Sequence, residues 1–161
     1  MVIQVAEVRG DLLSFEGDAL VNPWNRNYVP RWLQNSGGVS GQLKRVTGDE
    51  PWKALSRFGV LSLGEAVVTS AGALVNVHSL IHVAGLTARW RATAESVSLS
   101  ARNALLRAGE HGFARVGMPL IGAGTGGVEA ARSRALILEQ VELVNRSFTG
   151  DLEVILYTWG R

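Results

Sequence analysis

The chain alternates short apolar runs with stretches of helical periodicity. Val2 to Val8 (VIQVAEV), Ala19 to Asn22 (ALVN), Glu65 to Ser70 (EAVVTS) and Leu80 to Ala84 (LIHVA) each predict a strand, the third bounded by Gly64 and Gly72. Val116 to Ile121 (VGMPLI) is continuously apolar, the pattern of a strand covered on both faces, and Glu153 to Trp159 (EVILYTW) predicts a closing strand. Between them, Ala94, Val97, Ala101, Ala104, Leu105 and Ala108 recur at spacings of three and four and predict a helix over Thr93 to Gly109. Thr93 suits its N-cap, and Gly109 or Gly112 its stop. A second long helix is expected over Glu129 to Asn145, with Ala131, Ala135, Leu138, Val141 and Val144 on its apolar face. Shorter helices are expected over Ser36 to Val46 and Trp52 to Phe58. Strands alternating with helices predict a single α/β domain over residues 1–161. Its expected form is a three-layer α/β/α fold on a mixed, mostly parallel central sheet of about six strands.

Composition narrows the chemistry. The 161 residues include no cysteine, which excludes a disulfide scaffold, thiolate zinc sites and a cysteine nucleophile. No apolar run approaches the length of a membrane span, and MVIQVAEVRGDLL lacks the basic leader and apolar core of a signal peptide. The expectation is a cytoplasmic protein with no membrane partner, no metal and no cofactor. All but Lys44 and Lys53 of the 16 basic residues are arginine, yet 14 acidic residues reduce the net charge to +2. The arginines are scattered, so charge alone gives no nucleic-acid stripe.

Glycine is the outlier. The chain has 19 in 161 residues, about 12 % against an ordinary ~7 %. Four fall within six residues in Gly122-Ala123-Gly124-Thr125-Gly126-Gly127, between a predicted buried strand and a helix start. Glycine lets a ligand approach the main chain closely. Successive N–H groups at a helix N-terminus then form an anion-binding concavity. A second cluster, Ser36-Gly37-Gly38-Val39-Ser40-Gly41, opens another helix after the asparagine-rich loop Asn22-Pro23-Trp24-Asn25-Arg26-Asn27. Two such loops point to two linked phosphates, with asparagine available to sugar hydroxyls. Gly122, Gly124 and Gly127 satisfy G-x-G-x-x-G, but late in the chain, and the next predicted strand ends in Tyr157-Thr158-Trp159 where a dinucleotide fold places an acid, which disfavours a nicotinamide dehydrogenase. The absence of G-x-x-x-x-G-K-[ST] disfavours an NTPase.

Seven segments together resemble the macrodomain family, which binds ADP-ribose. They are Arg9 to Leu12 (RGDL), Asp18 to Asn25 (DALVNPWN), Gly37 to Val39, Leu63 to Ala66 (LGEA), Leu80 to Gly85 (LIHVAG), Pro119 to Val128, and Val154 to Tyr157 (VILY). The match spans nearly the whole chain in the family's order. The resemblance implies that Asp11, between Gly10 and Leu12, accepts from the adenine amino group and that Tyr157 stacks on adenine. It makes Asn25 the contact to the distal ribose, with Asn22 nearby. Gly37, Gly38, Val39 and Ser40 would form the first phosphate-side loop, and Ile121 to Gly127 the second. Each has a plainer reading: Asp11 as a turn cap, Tyr157 as a core aromatic, His82 as a satisfied core histidine, Glu65 as structural.

Catalysis is the open question. One hydrolase branch of the family carries an acid directly after Gly-Gly-Val, where this chain has Ser40. Another branch uses a lysine, matched here by Lys44, with an aspartate whose place is taken by Gly126 or Gly127. Asn25, Ser40 and Lys44 are the catalytic candidates. The resemblance therefore leaves two readings: hydrolysis at the distal ribose of an ADP-ribose derivative, or a non-catalytic reader. The derivatives in view are ADP-ribosylated protein or nucleic acid, O-acetyl-ADP-ribose and ADP-ribose phosphate. RNA or poly(ADP-ribose) binding is a third, weaker reading.

Overall fold

A computed structural model describes residues 2–28 and 38–158. Six strands are present: β1 (Ile3–Val8), β2 (Ala19–Trp24), β3 (Ala66–Ser70), β4 (Ser79–Ala84), β5 (Arg115–Pro119) and β6 (Leu152–Tyr157). They form one sheet in the order β1-β6-β5-β2-β4-β3. Every neighbouring pair is parallel except β3 with β4. The helices are α1 (Gly38–Thr47), α2 (Glu50–Ser56), α3 (Ala94–Glu110) and α4 (Ala130–Asn145), with a 3-10 turn at Leu12–Ser14. The three-layer α/β/α fold with a mixed sheet is thus observed.

Alternation along the strands sends successive side chains to opposite faces. Ala19 and Val21 of β2 and Ile81 and Val83 of β4 join the core beneath α3 and α4. Leu20 and Trp24 of β2 and Leu80 and Ala84 of β4 join the core beneath α1 and α2. Asn22, His82 and Thr69 occupy the intervening positions on that second face, and all three are buried.

Helix α3 begins as its sequence dictates. The Thr93 hydroxyl accepts from the Ser96 N–H while the Ser96 hydroxyl accepts from the Thr93 N–H, a reciprocal box that satisfies two otherwise unpaired donors. Ala94, expected in the buried stripe, is exposed in the first turn. In α4 the buried face is Ser133, Leu136, Ile137, Val141 and Val144, while Ala131 and Ala135 face solvent. The face is rotated because Ser133, a residue the periodicity assigns outward, donates to the Ile121 carbonyl at 2.6 Å and is fully buried. Strand β2 runs on through Pro23 and Trp24, past the predicted end at Asn22. Proline is tolerated because β2 pairs with β5 only at Ala19 and Leu20, so its missing N–H falls where those two strands have parted.

Candidate functional site

The parting of β2 from β5 opens a cavity of about 970 Å³ across the carboxyl ends of the strands. This is where open α/β sheets bind ligands. It reaches from Asp11, beyond β1, and Tyr157, at the end of β6, to Gly85, Leu86 and Trp90, beyond β4. That is four strand-to-strand steps, about 19 Å at ~4.8 Å each.

The middle is built from the loop between β5 and α4. Its Ala123, Gly127 and Val128 amides donate to Leu120, Gly124 and Gly122 carbonyls. The amides of Gly122, Gly124, Thr125 and Gly126 have no acceptor among the described residues, and all four residues line the cavity. Gly122 has φ +80, and a Cβ there would stand 2.7 Å from Ala92 Cβ; at Gly126 the same atom would be 2.6 Å away. These two glycines are required because the segment before α3 presses on the loop, with the Ala92 N–H donating to Gly126 O at 3.0 Å. Gly124, by contrast, faces open space.

Two helix N-termini open on the cavity, α1 at Gly38 and α4 at Ala130, each bringing positive dipole ends and first-turn N–H groups without an intrahelical partner. Arg45 lines the wall, and Arg91 lies over the loop, its Nη1 3.3 Å from where a Cβ on Gly127 would be. Among the described lining residues the one carboxylate is Asp11. The centre of the cavity is therefore suited to an anion that accepts several main-chain hydrogen bonds.

The two ends differ. Asp11 is exposed and caps the 3-10 turn, accepting from the Leu13 N–H at 3.0 Å, so the plainer reading also describes it. Tyr157 is half-buried, edge-on to Phe15 at 6.4 Å. At the other end Asn25 is 7 % exposed, and its Oδ1 accepts from the Asn27 N–H at 2.7 Å. Trp90 is 40 % exposed and holds φ +61, a left-handed conformation that is unusual for an aromatic residue. The turn it belongs to is tied by Trp90 N–H to Thr87 O at 2.9 Å and Thr87 N–H to Arg91 O at 2.8 Å.

Of the residues expected from sequence, Gly10, Asp11, Leu12, Asn25, Gly38, Val39, Ser40, Ile121, Gly122, Ala123, Gly124, Thr125, Gly126 and Tyr157 line the cavity. Gly37 lies outside the described residues. Gly127 is absent from the lining, its φ of +82 turning the chain into α4. Gly41 is inside α1 and buried, so it belongs to the helix and not to the loop. Asn22 does not reach the cavity either: it lies under the floor, bonded to His82 and Ser40.

Lys44 is likewise not a lining residue. Its ammonium stands 4.9 Å from the Trp24 ring centre and 5.2 Å from that of Trp52, and cation–π attraction to the paired indoles directs it there. Ser40 and Lys44 do share α1 at the expected i, i+4 spacing, but of the two only Ser40 is among the lining residues. His82 is buried and doubly hydrogen-bonded, as its plainer reading holds, and Glu65 accepts from the Ser62 N–H.

Sequence reasoning missed the wall formed by Gln42, Arg45 and Val46, and the Leu86 and Trp90 end. The first was detectable as the i, i+3, i+4 and i+7 continuation of Gly38 and Val39 along one helix face. The second had a fainter signal, one tryptophan between arginines in Thr87-Ala-Arg-Trp-Arg91, a stretch with no periodicity to bury it. No helix among the described residues is long and apolar enough to cross a membrane. No group of three or more His, Asp or Glu among them could hold a metal ion.

Comparison with known proteins agrees with this architecture. The family model described as Macro domain matches residues 21–137. An uncharacterized protein of Pyrobaculum aerophilum is 32 % identical over 162 residues, covering 96 % of this chain and 85 % of its own length. O-acetyl-ADP-ribose deacetylase 2 of Pantoea vagans is 28 % identical over 147 residues, covering 86 % of this chain and 81 % of that protein. Among solved structures, the Trypanosoma brucei macrodomain in complex with ADP-ribose matches with a TM-score of 0.81 at 20 % identity. That match covers 96 % of this chain and 64 % of the other.

Proposed function

The chain belongs to the Macro domain family, and on that premise we propose that its cavity binds ADP-ribose, free or attached to a macromolecule. One observation carries the reading: four loop amides without acceptors among the described residues, between two helix N-termini, midway between an Asp11–Tyr157 end and an Asn25–Trp90 end. A diphosphate with a ring system on each side fits that order. The loop amides and helix ends hold the diphosphate. Asp11 accepts from the adenine amino group, Tyr157 stacks on the base, and Asn25 meets the distal sugar.

Titration calorimetry tests this. Wild type should release saturable heat with ADP-ribose, and Asp11→Ala should weaken binding about tenfold or more, the worth of one hydrogen bond to a charged group. No heat from wild type would sink the reading.

A second reading, hydrolysis at the distal ribose, is favoured by the relatives named O-acetyl-ADP-ribose deacetylase. The distal end offers Asn25 but no carboxylate, so such a reaction would rely on positioning a water and not on a general base. Turnover of O-acetyl-ADP-ribose or mono-ADP-ribosylated protein, lost in Asn25→Ala, would support it. Inactivity on both, with binding intact, would make the protein a reader of ADP-ribosylated partners.

A further inference from the structure

Beneath the cavity floor, four polar side chains from four elements stand in line. The Ser40 Oγ of α1 is 2.8 Å from Asn22 Oδ1 of β2, and the Asn22 Nδ2 is 2.9 Å from His82 Nδ1 of β4. The His82 Nε2 is then 2.8 Å from Thr69 Oγ1 of β3. None of the four is more than 7 % exposed. Sheet register produces the row: Asn22 pairs directly with His82, and the alternation of β3 puts Thr69 on the same face.

The row has a direction. Thr69 donates its one proton to the Ser70 carbonyl at 3.0 Å, so towards His82 it accepts, and the imidazole carries its proton on Nε2. His82 Nδ1 is therefore an acceptor and takes an N–H from Asn22, which turns the amide oxygen to Ser40. Burial lowers the His82 pKa to about 3, so the ring is neutral at ordinary pH. Around it stand Asn22, Thr69 and the edge of Trp52, with Lys44 engaged on the indoles.

Among the described residues the Ser40 hydroxyl has two hydrogen-bond partners, Asn22 Oδ1 and the Pro23 carbonyl at 3.0 Å, and both can only accept. Its proton is committed inward whichever it chooses. What it can offer the cavity is a lone pair, not a proton. We propose that Ser40 is a specificity residue, an obligate hydrogen-bond acceptor held by Asn22, His82 and Thr69, which selects a ligand carrying a hydroxyl donor beside Asn25. The proposal rests on the ADP-ribose reading, in which the distal ribose supplies that hydroxyl. It also withdraws Ser40 as a nucleophile, because neither an amide oxygen nor a carbonyl can take up the proton that attack would release.

The test has two arms. Calorimetry compares ADP-ribose with ADP, which lacks the distal sugar. Ser40→Ala should lose roughly threefold to tenfold in affinity for ADP-ribose, the net worth of one neutral hydrogen bond. It should keep its affinity for ADP, and Ser40→Thr should restore the lost discrimination. Equal ADP-ribose affinity in wild type and Ser40→Ala overturns the proposal. Failure of wild type to bind either nucleotide overturns the binding reading instead. The second arm needs no ligand: imidazole nitrogen shifts of wild type should report a neutral His82 protonated on Nε2 from pH 5 to 8. A ring protonated on Nδ1, or titrating in that range, overturns the direction of the row and with it the proposal.

Discussion

The two faces of the sheet are built on different principles. Beneath α3 and α4 the core is mainly aliphatic, with Val97, Ala101, Leu105, Ile137 and Val141 set against Ile81, Val83, Met118 and Val154, and the helices add the buried serines Ser96, Ser100 and Ser133. Beneath α1 and α2 the same sheet carries the Ser40–Asn22–His82–Thr69 row and the packed indoles of Trp24 and Trp52. Apolar packing is non-directional and tolerates rearrangement. A hydrogen-bonded row fixes orientation, and leaving one member unpaired costs its full desolvation. The first face supplies stability, and the second holds a side chain at the cavity in one orientation.

Substitutions on the two faces should therefore separate stability from binding. The largest effect is expected on the aliphatic face. Leu105→Ala should cost about 2–5 kcal/mol in denaturant unfolding, yet leave the ADP-ribose affinity of the folded protein unchanged. Altered affinity would mean that the faces are not independent.

The polar face should respond to pH. The unfolded His82 takes up a proton below about 6.5 while the folded one resists until about 3, so stability is complete above 6.5 and falls as the pH drops. The slope is about 1.4 kcal/mol per unit, hence roughly 2 kcal/mol between pH 6.5 and 5. His82→Gln should be less stable at pH 7 and lose that part of the slope; an unchanged slope would assign the acid sensitivity elsewhere.

Thr93→Ala, which breaks the box at the start of α3, should cost about 1 kcal/mol and leave binding untouched. Smallest of all, Arg134→Ala removes an exposed pair with Glu7 (Nη2 to Oε2 2.8 Å) and should change the unfolding free energy by less than about 1 kcal/mol.

Much of this was legible in advance because strands and long helices declare themselves by period. Six strands were readable, as was the Thr93 cap, and the glycines of Gly122 to Gly126 marked the middle of the cavity. The errors share one cause, polar residues whose partners are remote in sequence. Ser133 rotates the buried face of α4 through a carbonyl 12 residues away. Asn22 and His82, 60 residues apart, become neighbours only through strand register. Lys44 stands over the indoles of Trp24 and Trp52, which nothing in its own helix reveals. Pattern reports what a residue's own element does, and these side chains answer to other elements.

The strand order carries a consequence for how the molecule is assembled. Within the sheet β1, beginning at Ile3, pairs with β6 alone, beginning at Leu152. The first strand made must wait for the last, and closing so long a loop is slow relative to local pairing. Until then Asp11 and Tyr157 are apart, and only the β2, β4 and β5 portion of the cavity can form. The Asp11–Tyr157 end should thus be the last to become competent in refolding, and the first to open when β1 and β6 separate.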